Sequence, residues 1–172
     1  MTASHRRPTL LIAVLGVVAV CAYAVAAAVQ ILVLNPLAAV PGATIEDIRG
    51  RMAAANETPG TGGVVFFLGI GVLVTLITAI VCVVLAAPPL ATASAMLVLV
   101  MLGAPGYFVA SFGPGMALAD TFWIAGGDHS PGGAYLAGVS ALAGIAAIVI
   151  GAVTVLRARR EAQDIAPAAA AA

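Results

Sequence analysis

Asp128 and His129 are adjacent residues whose side chains suit acid–base or metal chemistry better than any others in this 172-residue chain. Carboxylates and imidazoles are common metal ligands, and Asp120 and Glu57 are further carboxylates that could join such a site. Two adjacent ligands without a second spaced pair are a weak signal for a metal. A membrane enzyme that uses Asp128 and His129 is therefore the third of three functions considered for this chain.

A turn that leads into a helix explains the same stretch without any chemistry. Ser130 is placed to cap the first turn, and Pro131 suits the first helical position because its missing N–H is not needed there. Elsewhere the sequence contains no nucleophile paired with a base, no glycine-rich phosphate loop and no cysteine cluster. The sequence thus predicts no catalytic residue, no metal ligand and no cofactor site.

Four long apolar stretches make up most of the chain and must position the side chains named above. They cover approximately residues 9–34, 63–87, 90–112 and 133–156. None contains Asp, Glu, His, Lys or Arg, and each exceeds the ~20 residues that a helix needs to cross a bilayer. With 63% hydrophobic and 8% charged residues, the chain has more apolar surface than a soluble domain of this length can bury. We predict an all-α membrane protein, with one four-transmembrane-helix bundle over residues 1–160 and a disordered cytoplasmic tail over residues 161–172.

The positions of the arginines indicate the orientation of this bundle. All seven basic residues are Arg; five flank the first and last stretches, and only Arg49 and Arg51 lie in the first connecting loop. The positive-inside rule then places both termini in the cytoplasm and that loop outside. Because the net charge is zero, nucleic acid is not an expected partner. The expected partner is the lipid bilayer, together with other membrane proteins or further copies of the chain.

Small residues recur in the fourth stretch at alternating spacings of four and three, which predicts a helix-packing seam. Its members are Gly133, Ala137, Ser140, Gly144, Ala147 and Gly151. Close backbone approach through small residues is a main source of attraction between helices in lipid. A looser seam follows the first stretch through Gly16, Ala19, Tyr23, Ala26 and Gln30. The alternative is chance, because small residues are abundant in this chain.

The second half of the third stretch is interrupted by proline and glycine. Pro105 cannot donate a backbone hydrogen bond to the carbonyl of Met101 and should kink the helix. Irregular backbone at membrane depth must be covered by protein or line a wet cavity. Gly103, Pro105 and Gly106 therefore mark a candidate pocket, with a ligand-free kink as the alternative. A second interruption is expected at residues 113–115.

The first loop contains a predicted amphipathic helix. Thr44 and Asp47 have the spacing of a capping box, with Asp in place of the usual Glu or Gln. Ile45, Ile48 and Met52 form an apolar stripe at helical spacing. Such a helix could contact a partner at the outer surface, or it could cover the end of the bundle.

The arginine-flanked ends, the lysine-free and alanine-rich composition, and the segment NPLAAVPG at residues 35–42 are informative in combination. In these features the whole chain resembles small four-span membrane proteins of actinobacteria that have no assigned activity, although it shares no specific motif with them. We therefore expect a multi-pass protein of a bacterial plasma membrane with a non-enzymatic structural, accessory or assembly function. The main alternative is a small channel or carrier for a neutral or apolar solute, which would use the kinked third stretch.

Overall fold

The computed structural model describes the backbone of residues 6–170 and the side chains of residues 6–157 and of Arg159. Within this part every regular element is helical. Four helical segments are long and apolar enough to cross a membrane, and we number them as the first to fourth membrane helices: Arg6–Ala39, Thr61–Val84, Pro89–Phe122 and Gly132–Arg157. The prediction of an all-helical chain with four candidate membrane spans is confirmed.

The first membrane helix is longer than predicted and contains an irregular turn. It comprises α1 (Arg6–Val29), a π-helical turn (Gln30–Leu34) and α2 (Asn35–Ala39). Pro36 causes the irregularity, because in a regular helix its ring would clash with the carbonyl four residues earlier. The wider turn avoids that clash, and the backbone N–H of Asn35 donates to the carbonyl of Gln30 instead.

Helix α3 (Ile45–Ala54) lies in the connection between the first two membrane helices. The predicted capping box is confirmed at its start. The Thr44 hydroxyl accepts a hydrogen bond from the backbone N–H of Asp47 at 3.2 Å, and an Asp47 carboxylate oxygen accepts one from the backbone N–H of Thr44 at 3.2 Å. Two otherwise unpaired N–H groups are thus satisfied at the helix start.

The second membrane helix, α4 (Thr61–Val84), is joined to α5 (Pro89–Met101) by four residues. This tight turn ends at Pro88, and Pro89 occupies the first position of α5, where its missing N–H is not needed. The hydroxyl of Thr9, near the start of α1, donates to the Ala87 carbonyl in this turn at 2.8 Å. This bond attaches the beginning of the chain to the turn between α4 and α5.

The third membrane helix consists of α5 and α6 (Gly103–Phe122), which are separated at Leu102. The interruption expected from Pro105 is therefore present, three residues before the proline. It follows the last residue of α5, Met101, whose carbonyl cannot receive a hydrogen bond from Pro105. The prediction of a second interruption at residues 113–115 is wrong. The helix continues through Pro114 and ends ten residues beyond the predicted boundary, because proline is tolerated in membrane helices whose neighbours accommodate it.

The fourth membrane helix is the apolar part of α7 (Gly132–Ala170). The predicted start is wrong by one residue. The Pro131 carbonyl accepts the first helical hydrogen bond, from the Tyr135 N–H at 3.2 Å, so Pro131 precedes the helix. Ser130 does not cap it, because its hydroxyl is directed to Gln30. Helix α7 also includes residues 161–170 of the predicted tail, which are rich in alanine, the strongest helix former; Ala171 and Ala172 lie outside the described residues.

The first membrane helix is central to the bundle, since α1 contacts both α4 and α5, while α7 packs on α5 and α6 on α4. Its buried stripe corrects the looser seam predicted for it. Gly16, Tyr23 and Gln30 are buried as expected, but Ala19 and Ala26 are exposed. The full buried side is formed by seven residues: Thr9, Ala13, Gly16, Val20, Tyr23, Ala27 and Gln30. We call the end of the bundle with residues 40–60 and 123–131 the loop end, and the end with residues 85–88 the hairpin end.

Candidate functional site

Most of the polar side chains that link different helices lie at the loop end. We define the polar cluster as five of them: Gln30, Asn35, Tyr107, Asp128 and Ser130. They come from the first membrane helix, from α6 and from the segment between α6 and α7. This segment has no regular structure, so its conformation depends on the hydrogen bonds that these side chains make.

Asp128 is held by Tyr107, a partner that the sequence analysis did not identify. The Tyr107 hydroxyl donates to the carboxylate, with its oxygen 2.7 Å from Oδ1 and 2.9 Å from Oδ2. The carboxylate also lies against Gly133 in the first turn of α7, where any Cβ would overlap Oδ2. Gly133 therefore leaves room for a carboxylate, which is a different role from the helix packing predicted for it.

Gln30 and Asn35 attach the first membrane helix to the same segment. The Ser130 hydroxyl donates to Oε1 of Gln30 at 2.8 Å. Asn35 accepts from the backbone N–H of His129 at 2.6 Å and donates to the Gly127 carbonyl at 3.4 Å. In a regular α-helix two residues five apart point about 140° away from each other. The π-helical turn between them allows both amides to reach one segment.

Gln30 has one buried group that is incompletely satisfied. Its side chain is 1% exposed, and Nε2 forms no hydrogen bond of good geometry within the described residues, although it lies beside the Tyr107 hydroxyl. A buried N–H without a partner costs about 1–3 kcal/mol. The side-chain amide oxygen of Gln30, Oε1, also lies so close to Gly132 that a Cβ on Gly132 would overlap it. Consecutive glycines thus make room for both Gln30 and Asp128.

A second polar contact lies deeper in the bundle. The Tyr23 hydroxyl donates to the Leu136 carbonyl at 3.3 Å. The Ser140 hydroxyl oxygen lies 3.2 Å from the Tyr23 hydroxyl oxygen and 3.0 Å from the Val100 carbonyl oxygen. A Cβ on Gly103 would lie 2.7 Å from the Tyr23 ring. Buried hydroxyls are thus satisfied by carbonyl groups of neighbouring helices.

The predicted small-residue seam of the fourth membrane helix is distributed over two sides. Three members are buried, two are half-buried and one is exposed: Gly133, Ser140 and Gly144, then Ala147 and Gly151, then Ala137. At Gly144 a Cβ would lie 3.0 Å from the Met101 sulfur, so a larger side chain there must displace the Met101 side chain. Ala137 instead points away from the bundle.

Gly103 and Gly106, predicted as pocket residues, line a cavity of about 180 Å³ between the first three membrane helices. Tyr23 and Phe67 also line it. Pro105 is exposed and does not line this cavity. The kink and the cavity are therefore neighbouring features, and the glycines, not the proline, form the wall.

The predicted contact residues of α3 face inward. Ile48 and Met52 are buried and pack against Ala117 and Leu118 of α6, while Ile45 is half-buried. The Arg51 guanidinium lies 4.4 Å above the Phe122 ring centroid, a cation–π contact that also joins α3 to α6. These contacts use the apolar stripe of α3 to cover the loop end.

His129 and Asp128 do not form part of a larger ligand set. The His129 Nε2 atom lies 3.0 Å from the Ala125 carbonyl oxygen, within its own turn. In the described part of the chain, no group of three or more His, Cys, Asp and Glu side chains could hold a metal ion. Asp120 and Glu57, the further carboxylates considered above, are therefore not brought to Asp128 and His129 in such a group.

The sequence did contain a signal for the polar cluster. Gln30 and Asn35 are the amide side chains of the first apolar stretch and its continuation, and unpaired amides are costly in lipid. A phenol such as Tyr107, together with Asp128 after the next turn, was a possible partner set, but no pattern in the sequence joins residues about 100 positions apart. No known protein family, no curated protein and no solved structure gives a match to this chain.

Proposed function

We propose that this chain is a non-enzymatic accessory or assembly component of a bacterial plasma membrane. The supporting observation is an outward-facing stripe of small residues on α7, which no other helix within residues 6–170 covers: Ala134, Ala137, Gly138 and Ala141. Because lipid provides no hydrophobic drive for helix association, such a stripe is the surface on which a neighbouring membrane helix packs closely. In this proposal the stripe binds a helix of a partner or of a second copy.

The interior of the bundle supports the same class of function. The membrane helices carry no Asp, Glu, His, Lys or Arg between their terminal turns, whereas proton relays and ion pathways depend on such groups. The polar side chains that do lie inside are engaged by other groups of the chain, as at Tyr23 and Ser140. Their hydrogen bonds join helices to each other and leave little polarity for a transport path.

In-membrane crosslinking and co-purification test this proposal through Gly138, where an added Cβ meets nothing within 4 Å. Gly138→Leu should abolish the higher-mass species or the stoichiometric partner while the thermal stability of the single chain stays unchanged. Val139→Leu is the matched control, because the Val139 side chain is rotated by about 100° around the helix axis from that of residue 138. A wild-type chain that remains alone in the membrane would contradict the proposal.

We also propose that both termini lie in the cytoplasm, on the basis of the arginine distribution. A fusion after Ala172 with a reporter that is active only outside the cell should then be inactive. The same reporter inserted after Gly60, in the connection that precedes α4, should be active. The reverse pattern would contradict this orientation.

The second candidate function is a carrier for a neutral or apolar solute, and the cavity beside Gly103 and Gly106 favours it. Gly106→Leu would fill this cavity, because an added Cβ there meets nothing within 4 Å. If the cavity carries a solute, flux in reconstituted vesicles should fall with Gly106→Leu and persist with Pro105→Ala. Equal flux in vesicles with and without the wild-type protein would exclude this function.

A further inference from the structure

A second cavity, of about 240 Å³, opens beside the polar cluster at the loop end. Its polar lining includes Asn35, Tyr107 and the carboxylate of Asp128. Its apolar lining includes the rings of Phe108 and Phe112. The volume is below the roughly 300–1,000 Å³ of pockets for drug-sized ligands, so the cavity admits only a small group.

The carboxylate in this cavity has an uncompensated charge. Among the described side chains Tyr107 is the one hydrogen-bonding partner of Asp128, and no arginine or histidine there forms an ion pair with it. The hydroxyl of Tyr107 fixes the carboxylate against Gly133, and Asp128 itself is exposed. The carboxylate therefore keeps lone pairs that a further donor can use.

Two aromatic side chains, Phe108 and Phe112, also line the cavity. The centroids of Phe108 and Phe112 are 6.3 Å apart, with their planes inclined by 52°. Both side chains are more than 60% exposed on the outside of α6. A carboxylate combined with ring faces is the arrangement that recognises an organic ammonium group, through charge and through cation–π attraction. A metal ion would instead need several oxygen, nitrogen or sulfur ligands, and the described residues provide no such group.

We propose that this cavity binds a small organic ammonium group, with Asp128 as its counter-ion and Phe108 and Phe112 as its aromatic wall. Two sources have this chemistry: the headgroup of an amine-bearing phospholipid, whose chains would follow the exposed side of α6, and a free amine. This site is independent of the stripe on α7, so failure of the assembly proposal would leave it untouched.

The free-amine source is tested with the full chain in an uncharged maltoside detergent. Tetramethylammonium chloride is titrated against sodium chloride at equal ionic strength, and the thermal unfolding midpoint is recorded. Asp128→Asn should weaken the response roughly tenfold or more, since a charge-assisted contact is lost. Asp120→Asn, an exposed carboxylate outside the cavity, should leave it unchanged.

The lipid source is tested by native mass spectrometry from nanodiscs that contain phosphatidylethanolamine and phosphatidylglycerol. The wild type should retain phosphatidylethanolamine, and Asp128→Asn should lose this preference.

A second variant distinguishes weakened ligand binding from a folding defect in both tests. Phe112→Leu keeps the charge and should weaken binding about threefold, whereas Phe66→Leu, an exposed ring on α4, should not change it. A response in either test that depends on Asp128 and Phe112 supports the site and identifies its source. Absence of both responses, or equal responses in wild type and Asp128→Asn, would overturn the proposal.

Discussion

The loop end and the hairpin end of the bundle are assembled from different kinds of contact. At the loop end, hydrogen bonds that involve Gln30, Asn35 and Tyr107 attach two helices to one irregular segment. At the hairpin end, beside the hydrogen bond from Thr9 to the Ala87 carbonyl, the core is apolar and consists of Ala13, Ala79 and Met96. A wide apolar groove of about 380 Å³ lies there between α1 and α4.

The two kinds of contact differ in how strictly they fix the geometry of the bundle. Hydrogen bonds in an apolar environment are directional, and breaking one leaves a costly unpaired group. Van der Waals contacts between small apolar residues depend only on shape. We therefore expect polar substitutions to affect the loop end and size changes to affect the remainder of the bundle.

The largest effect should come from a size change away from the loop end. Gly144→Leu would force a side chain into the space of Met101, and overpacking of this kind costs about 3 kcal/mol at its upper range. Ile148→Leu is the control, because Ile148 is 72% exposed. Unfolding with SDS in mixed micelles measures both variants, and equal midpoints would show that α7 does not pack tightly on α5.

A smaller effect is expected at the loop end when a hydrogen bond is removed without a change of size. Tyr107→Phe leaves the Asp128 carboxylate without its donor, and a bond to a charged group contributes about 2 kcal/mol. Tyr135→Phe is the matched control, since Tyr135 is 71% exposed and points away from the bundle. If the two variants unfold at the same SDS fraction, the polar cluster does not stabilise this end.

The cap of α3 should contribute less. Thr44→Ala removes the hydroxyl of the capping box and should destabilise α3 by about 1 kcal/mol. Hydrogen exchange at the amides of residues 45–54 should then accelerate, while exchange in α4 stays slow. Thr58→Ala, an exposed threonine beyond the end of α3, is expected to leave these rates unchanged.

The smallest effect concerns pH. Hydrogen bonds from the Thr44 side chain, and then from its backbone, hold the pKa of Asp47 below its usual value. A lowered carboxyl pKa stabilises the folded form above the unfolded pKa, and this stabilisation disappears as the pH falls through the folded value, below about pH 4. The protection of amides at the start of α3, relative to their intrinsic exchange rates, should therefore decrease over that range in the wild type. In Thr44→Ala the folded pKa of Asp47 moves back toward the unfolded value, so this decrease should be smaller, and identical profiles would contradict the assignment.

The sequence was sufficient for the number and composition of the membrane helices, because apolar length is a direct requirement of the bilayer. It was less reliable for helix ends. The first stretch was predicted to end at residue 34 and the third to be interrupted at residues 113–115. A π-helical turn and packed neighbours instead accommodate Pro36 and Pro114 within longer helices. The buried stripe of α1 was predicted partly one residue away, at Ala19 and Ala26, because apolar side chains face both lipid and protein and give little contrast.

The polar cluster could not be derived in the same way. Its bonds join residues 21 to 100 positions apart, and only the fold brings them together. Gly132 and Gly133 illustrate the difficulty. The spacing of Gly133 fits helix packing, yet the structure places the Asp128 carboxylate where its side chain would be, and the Gln30 amide takes the same place at Gly132.

The widened turn at residues 30–34 has a consequence for chain length. It accommodates one residue more than a regular helix of the same rise, so deletion of a single residue there would shorten the helix without breaking it. Such a deletion would rotate Asn35 away from residues 127–129. The segment before α7 would then lose one of its two attachments to the first membrane helix, while the membrane crossing itself survived. A homologue that lacks this residue should therefore keep the four crossings and build its loop end differently.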